Sequence, residues 1–84
     1  KKVKPFNQHI YLHLERKGGG RIITIIRGLE HSKSELVQLS KEIKKNCSVG
    51  GTVKKKEILI QGNFREKIKS LLITKGYNVK LSGG

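Results

Sequence analysis

Three histidines, one cysteine and six glutamates are the side chains of this 84-residue sequence best suited to proton transfer, nucleophilic attack or metal binding. His9 and His13 lie in an alternating stretch and share a strand face. Four residues along a strand span roughly 13 Å, too far to share a proton or a metal. His31 stands just before a helix cap, where a histidine is a surface or cap side chain. Cys47 closes the apolar stripe of a helix, a position that favours a small buried hydrophobe over a nucleophile. A single cysteine makes no intramolecular disulfide, which suits a reducing compartment. No CxxC or Cys/His cluster offers a zinc site. All six acids are Glu. Lack of Asp removes EF-hand calcium loops and the Ser-His-Asp triad. Gly18-Gly19-Gly20 is not followed by Gly-Lys-Ser/Thr, so it is not a P-loop. No acid–base pair or nucleophile–base arrangement is left, and neither an enzyme nor a cofactor or metal is expected.

Charge points elsewhere. Nineteen Lys and Arg face six acids, for a net charge of +13 and a pI near 10.3. Nine cations and four acids fall in residues 1–42, ten and two in residues 43–84. The excess is spread through the body rather than confined to a tail, as expected of a protein that sits on a polyanion, most often nucleic acid. Arg16, Lys17 and Arg21 ring the glycines Gly18, Gly19 and Gly20. Lys41, Lys44 and Lys45 make a helical patch. Lys54, Lys55 and Lys56 make a third cluster, on a turn. The four aromatics are Phe6, Tyr11, Phe64 and Tyr77. An RRM needs adjacent aromatics on a central strand, where this chain has Arg21-Ile22-Ile23-Thr24-Ile25-Ile26, and a KH loop of GXXG form is absent. Base stacking is therefore not the main device expected. Phosphate contact and shape are, with a glycine tip able to bring backbone N–H groups close to phosphate.

The elements that must hold these clusters follow from periodicity. Residues 1–7 are basic, carry the one proline (Pro5) and read as a flexible arm. Residues 9–15 alternate, with Ile10, Leu12 and Leu14 on one side. A glycine hairpin tip follows over residues 16–21. Residues 21–27 are apolar on both faces through Ile22, Ile23, Ile25 and Ile26, as in a central strand. Ser32-Lys33-Ser34-Glu35 has capping-box form and opens a helix to about Asn46, with Leu36, Leu39, Ile43 and Cys47 on one stripe. Gly50 and Gly51 supply a turn into a short strand at Thr52 and Val53. Another strand covers residues 57–61. Asn63 with Glu66 looks like a second cap, opening a helix on Phe64, Ile68, Leu71 and Leu72 that Gly76 ends. Residues 77–82 make a last strand with Val79 and Leu81 inward. The predicted class is α+β: a two-layer sandwich, β-β-α-β-β-α-β, with two helices on one face of a mixed four- to five-stranded sheet. Its βαββαβ portion is the split βαβ arrangement. Residues 8–84 form one domain. No apolar run approaches the ~20 residues of a membrane span, and no signal-peptide core is present. The chain opens on Lys1 and has no Met, as expected of a piece trimmed from a longer protein.

Several motifs occur together and in order. They are Arg16-Lys17-Gly18-Gly19-Gly20-Arg21 before a β-branched strand, Lys44-Lys45-Asn46-Cys47-Ser48-Val49-Gly50-Gly51-Thr52-Val53, Ile58-Leu59-Ile60-Gln61-Gly62-Asn63, and the ending Lys80-Leu81-Ser82-Gly83-Gly84. Over residues 12–84 the chain resembles the eukaryotic-type translation initiation factor one family, also called the SUI domain. Its short turn at Lys54, Lys55 and Lys56 and its Gly-Gly end look like bacterial and archaeal members. Gly62-Asn63 departs from the commoner Gly-Asp, although Asn also caps helices. The resemblance implies a monomeric cytoplasmic protein on the small ribosomal subunit near the P site. Its implied partners are ribosomal RNA, mRNA, initiator tRNA and other initiation factors. It places Arg16, Lys17, Gly18, Gly19, Gly20 and Arg21 against the mRNA and the anticodon region of initiator tRNA. Lys41, Lys44 and Lys45 would face ribosomal RNA, and Lys54, Lys55 and Lys56 would approach the tRNA. Start-codon selection would work by clashing with mispaired tRNA, discrimination by exclusion. Two alternatives stay open. One is a general RNA-binding or stress-related, translation-inhibiting module. The other is a protein-interaction module that docks a partner on the open sheet face at His9, Tyr11 and His13.

Overall fold

Five strands and two helices make up the computed structural model, which describes residues 9–82. In chain order they are β1 (His9–Arg16), β2 (Ile22–Arg27), α1 (Lys33–Cys47), β3 (Gly51–Lys54), β4 (Glu57–Gln61), α2 (Arg65–Thr74) and β5 (Asn78–Ser82). This is the predicted α+β order, with five strands in one mixed sheet. The basic arm expected over residues 1–7 lies outside the described residues.

The sheet order is β3-β4-β2-β1-β5. β1 runs antiparallel to β2 and parallel to β5, while β4 is antiparallel to both β2 and β3. Without β1 the order is that of the split βαβ unit. β1 is wedged between β2 and β5, so the strand apolar on both faces, β2, becomes the middle of five.

Register fixes the two faces. Leu12 stands opposite Ile26 and beside Leu81, and Ile26 stands opposite Ile58. Ile10, Leu12, Ile26, Ile58 and Ile60 are fully buried there against Leu36, Ile43, Ile68 and Leu72 of the two helices. Each such side chain contributes about 1.5–3 kcal/mol by leaving water. At the end of β2, Gly28 has φ +92°, and a side chain there would collide with the backbone carbonyl of His9.

The capping box forms as its spacing predicts. Ser32 Oγ accepts from the Glu35 N–H at 3.3 Å, and Glu35 Oε1 accepts from the Ser32 N–H at 3.0 Å. The stop of α1 differs from expectation. Ser48, in the left-handed region at φ 56°, turns the chain, and the Val49 N–H reaches Lys44 O at 3.2 Å. Gly51 is needed for a different reason. It is a strand residue whose Cβ would lie 2.5 Å from Leu59 O.

α2 corrects the second cap. Phe64, not Asn63, is the N-cap, and its side chain makes no cap bond. Thr24, fully buried in the neighbouring strand β2, instead satisfies the N–H of the N-cap residue itself. Its Oγ1 accepts from the Phe64 N–H at 3.1 Å and donates to Gly62 O at 2.6 Å. At the other end Gly76 stops the helix as expected. Its N–H donates to Ile73 O at 2.9 Å and that of Tyr77 to Leu72 O at 3.1 Å, a Schellman pair. β5 begins one residue later than expected. Leu81 shares the face of Leu12 but remains 38% exposed at the sheet edge, so it is not the inward residue expected from alternation.

Candidate nucleic-acid interface

The tip joins β1 to β2. Arg16 belongs to β1, paired opposite Ile22, so the loop proper is shorter than the expected residues 16–21. The Lys17 N–H donates to Arg21 O at 2.8 Å and closes it. Gly18, Gly19 and Gly20 make a single 3-10 turn, with Gly19 and Gly20 at φ +76° and +78°. A side chain at any of the three would meet nothing within 4 Å. Conformation rather than space therefore calls for glycine at the latter two. Lys17 Nζ lies 3.4 Å from Glu15. Arg16 and Arg21 are exposed, and neither has an acidic partner among the described residues. Beside Arg21 a groove of about 300 Å³ opens, lined also by Ile22, Ile23, Gln61 and Gly62.

Topology sorts the basic clusters into two ends. α1 starts near the end of β2 and runs back towards the tip. Its last turn, with Lys44 and Lys45, precedes Gly50, whose carbonyl accepts from Gln61 N–H at the tip end. Lys41 lies one turn earlier on α1. Lys55 and Lys56 sit at the opposite end, because β4 leaves their turn beside Arg27 and reaches the tip only at Gln61. The expected three-lysine turn is a two-residue one. Lys54 is the last residue of β3, opposite Glu57, while Lys55 and Lys56 turn with φ of 49° and 64°. That is the left-handed pair of a tight hairpin, here filled by lysines instead of Asn-Gly. Sequence reading missed Lys33. With Leu36, Val53, Lys55 and Lys56 it lines a second groove of about 270 Å³. The available signal was a cation in the first turn of a helix, against the macrodipole.

The titratable side chains that converge are His31, Tyr77 and Glu35. Tyr77 Oη and His31 Nε2 are 2.5 Å apart, and the rings meet edge to face at 5.9 Å. His31 Nδ1 lies 3.8 Å from Glu35 Oε1. His31 is thus a latch between the start of α1 and the α2–β5 connection, not a surface side chain. Neither groove is lined by any of the three. His9 and His13 point out on the same strand face, two pleats apart. Among the described residues no group of three His, Cys, Asp or Glu side chains could hold a metal. No helix of the described chain is long and apolar enough to cross a membrane.

Two buried acids have raised pKa values. Burial pushes the Cys47 thiol up, partly offset by the positive charge of Lys67. Burial also pushes the Tyr77 hydroxyl up, reinforced by the charges of Glu35 and Glu42. The folded state then holds both protons more tightly than the unfolded state. Their stabilising contribution is complete below the unfolded values and is lost as pH rises through the folded ones. In urea melts, the midpoint difference between wild type and Tyr77→Phe is expected to shrink as pH is raised from about 8 to about 11. A constant gap would contradict the Tyr77 shift.

Residues 6–78 match the family described as translation initiation factor SUI1. The chain is 51% identical over 69 residues to the protein YciH of Salmonella typhimurium, covering 82% of this chain and 62% of that protein. It is 37% identical over 81 residues to the protein translation factor SUI1 homolog of Thermococcus onnurineus, covering 96% and 83%. Against the homolog of the same name from Sulfurisphaera tokodaii it is 41% identical over 70 residues, covering 83% and 70%. It spans about 62–63% of the length of the bacterial relatives it matches. With the family match running through nearly every strand and helix described above, the chain belongs to the translation initiation factor SUI1 family.

Proposed function

We propose that this protein binds the small ribosomal subunit near the P site and influences start-codon and initiator-tRNA selection through the tip between β1 and β2. The observation that carries this reading is the tip itself. Two exposed arginines, without acidic partners among the described residues, flank a three-glycine turn that carries no side chains and could enter a nucleic-acid cleft. Arg16, Lys17, Gly18, Gly19, Gly20 and Arg21 would lie against mRNA and the anticodon region. Lys44 and Lys45, at the same end of the molecule, would hold ribosomal RNA together with Lys41. The lysines at the opposite end, Lys54, Lys55 and Lys56, would meet the tRNA body. In this scheme the protein carries out no covalent chemistry. It occupies space that a mispaired tRNA would need, so selection comes from exclusion. Membership of a family named for translation initiation supports the same reading.

Co-sedimentation through sucrose gradients with purified small and large ribosomal subunits, at about 0.1 and 0.5 M salt with bulk tRNA as competitor, tests it. Saturable binding to the small subunit alone, resistant to tRNA, is the expected result. Equal, salt-labile binding to both subunits and to tRNA would replace it with a general RNA-binding module.

A further inference from the structure

The strand register places on the helix-free face of the sheet something that composition did not suggest. One row runs across all five strands: Lys80, Tyr11, Arg27, Glu57 and Lys54. Tyr11 is 42% exposed in that row, with a cation on the strand to either side, about 4.8 Å away. Along β1 the same face carries His9, exposed, and His13, half-buried. Three rings therefore stand in a column at roughly 6.8 Å intervals. An extended single strand of nucleic acid advances by a similar amount per nucleotide. In the next row His13, Ile25 and Leu59 give the platform an apolar floor, with Ile25 only 3% exposed. The column ends at Glu15, whose carboxylate is paired with Lys17, and then reaches the tip.

We propose that His9, Tyr11 and His13 form a stacking ladder for single-stranded RNA, with Tyr11 its main rung and Lys80 and Arg27, on the strands to either side, holding the phosphates beside it. The ladder rests on the proposed role of the tip, from which the RNA strand would continue along β1. It supplies what the tip lacks, a way to prefer unpaired over paired RNA, because only unpaired bases offer free faces to a ring. Arg27 meets Glu57 at 2.8 Å, so part of its charge is already answered. Lys80 and Lys54 have no acidic partner among the described residues. A dry protein partner would leave this row of cations facing apolar surface, whereas a polyanion complements it.

Fluorescence anisotropy with a labelled oligouridylate of about eight nucleotides tests the ladder, using wild type, Tyr11→Ala and Tyr11→Phe. Tyr11→Ala is expected to weaken binding about 5- to 150-fold, the equivalent of the about 1–3 kcal/mol lost per stacked base. Tyr11→Phe keeps the ring and is expected to bind as wild type does. The salt slope stays unchanged in both, since no phosphate contact is removed. Affinity for a duplex RNA is expected to stay level across the three proteins. Circular dichroism melts verify that the exposed position has not cost the fold. Equal single-strand affinity of Tyr11→Ala and wild type would overturn the proposal, and is the result a partner protein seated on this face would give. Equal losses for single strand and duplex would also overturn it, because stacking would not be the cause. The tip fails separately: wild-type protein that sediments with both subunits alike would remove the tip's proposed role, while the oligonucleotide series would still decide the ladder.

Discussion

Replacing Thr24 with valine is expected to lower the melting temperature by about 10–20 °C. Valine keeps the β-branched shape and nearly the volume, so the buried site stays filled. It loses the hydroxyl, and that single atom serves two backbone groups. Gly62 O loses its donor at 2.6 Å, and the Phe64 N–H, at the mouth of α2, loses its acceptor at 3.1 Å. Phe64 has no side-chain acceptor of its own to offer, and the exposed Asn63 does not supply the cap. Each orphaned group costs about 1–3 kcal/mol, and the added methyl returns part of this, for a net of about 2–3 kcal/mol. In a domain of this size each kcal/mol moves the midpoint by about 4–8 °C. Thr24→Ser keeps the oxygen and is expected to recover most of the loss. A valine variant melting within about 3 °C of wild type would show that water serves these groups equally well.

The second large effect concerns the tip. Arg16→Ala combined with Arg21→Ala is expected to weaken small-subunit binding about 10- to 100-fold near 0.1 M salt, by removing two charge-assisted phosphate contacts. The slope of log affinity against log salt is expected to fall by about 2, one unit for each lost contact. Stability should change little, because both side chains are exposed and the loop is closed by backbone, from Lys17 N–H to Arg21 O. Start-site choice in a reconstituted initiation reaction is the companion readout. If affinity, slope and start-site choice all match wild type, the tip has no part in the mechanism.

The sequence made the elements legible where local chemistry decided them. The Ser32–Glu35 capping box, the Gly76 stop and the doubly apolar strand around Ile25 each form where their spacing indicates. Features resting on distant partners were hidden. Asn63 carries every local mark of a cap, yet Phe64 is the N-cap and its N–H is satisfied by Thr24, forty positions earlier on β2. Leu81 alternates correctly, but an edge strand leaves its side chain partly uncovered. The basic clusters were visible as types and spacing. Their division between the two ends, and the convergence of Lys33 with Lys55 and Lys56, depend on α1 running antiparallel to β2. Tyr11 gave no stacking signature by itself. Only register sets Lys80 and Arg27 on either side of it.

The wedge position of β1 bears on how the chain comes to be folded during synthesis. β1 finds one neighbour, β2, at once through the tip, but its other edge waits for β5, the last element described. Until β5 leaves the ribosomal tunnel, β1 presents a row of unpaired N–H and C=O groups, with apolar Ile10, Leu12 and Leu14 on the core side. Such pairing between chain-distant segments makes folding slow and all-or-none relative to a helical bundle of equal length. A growing chain halted anywhere before residue 78 would carry an open strand edge and a half-built core, a natural substrate for chaperones and proteases. For this small basic domain, completion of the fold coincides with completion of the sheet.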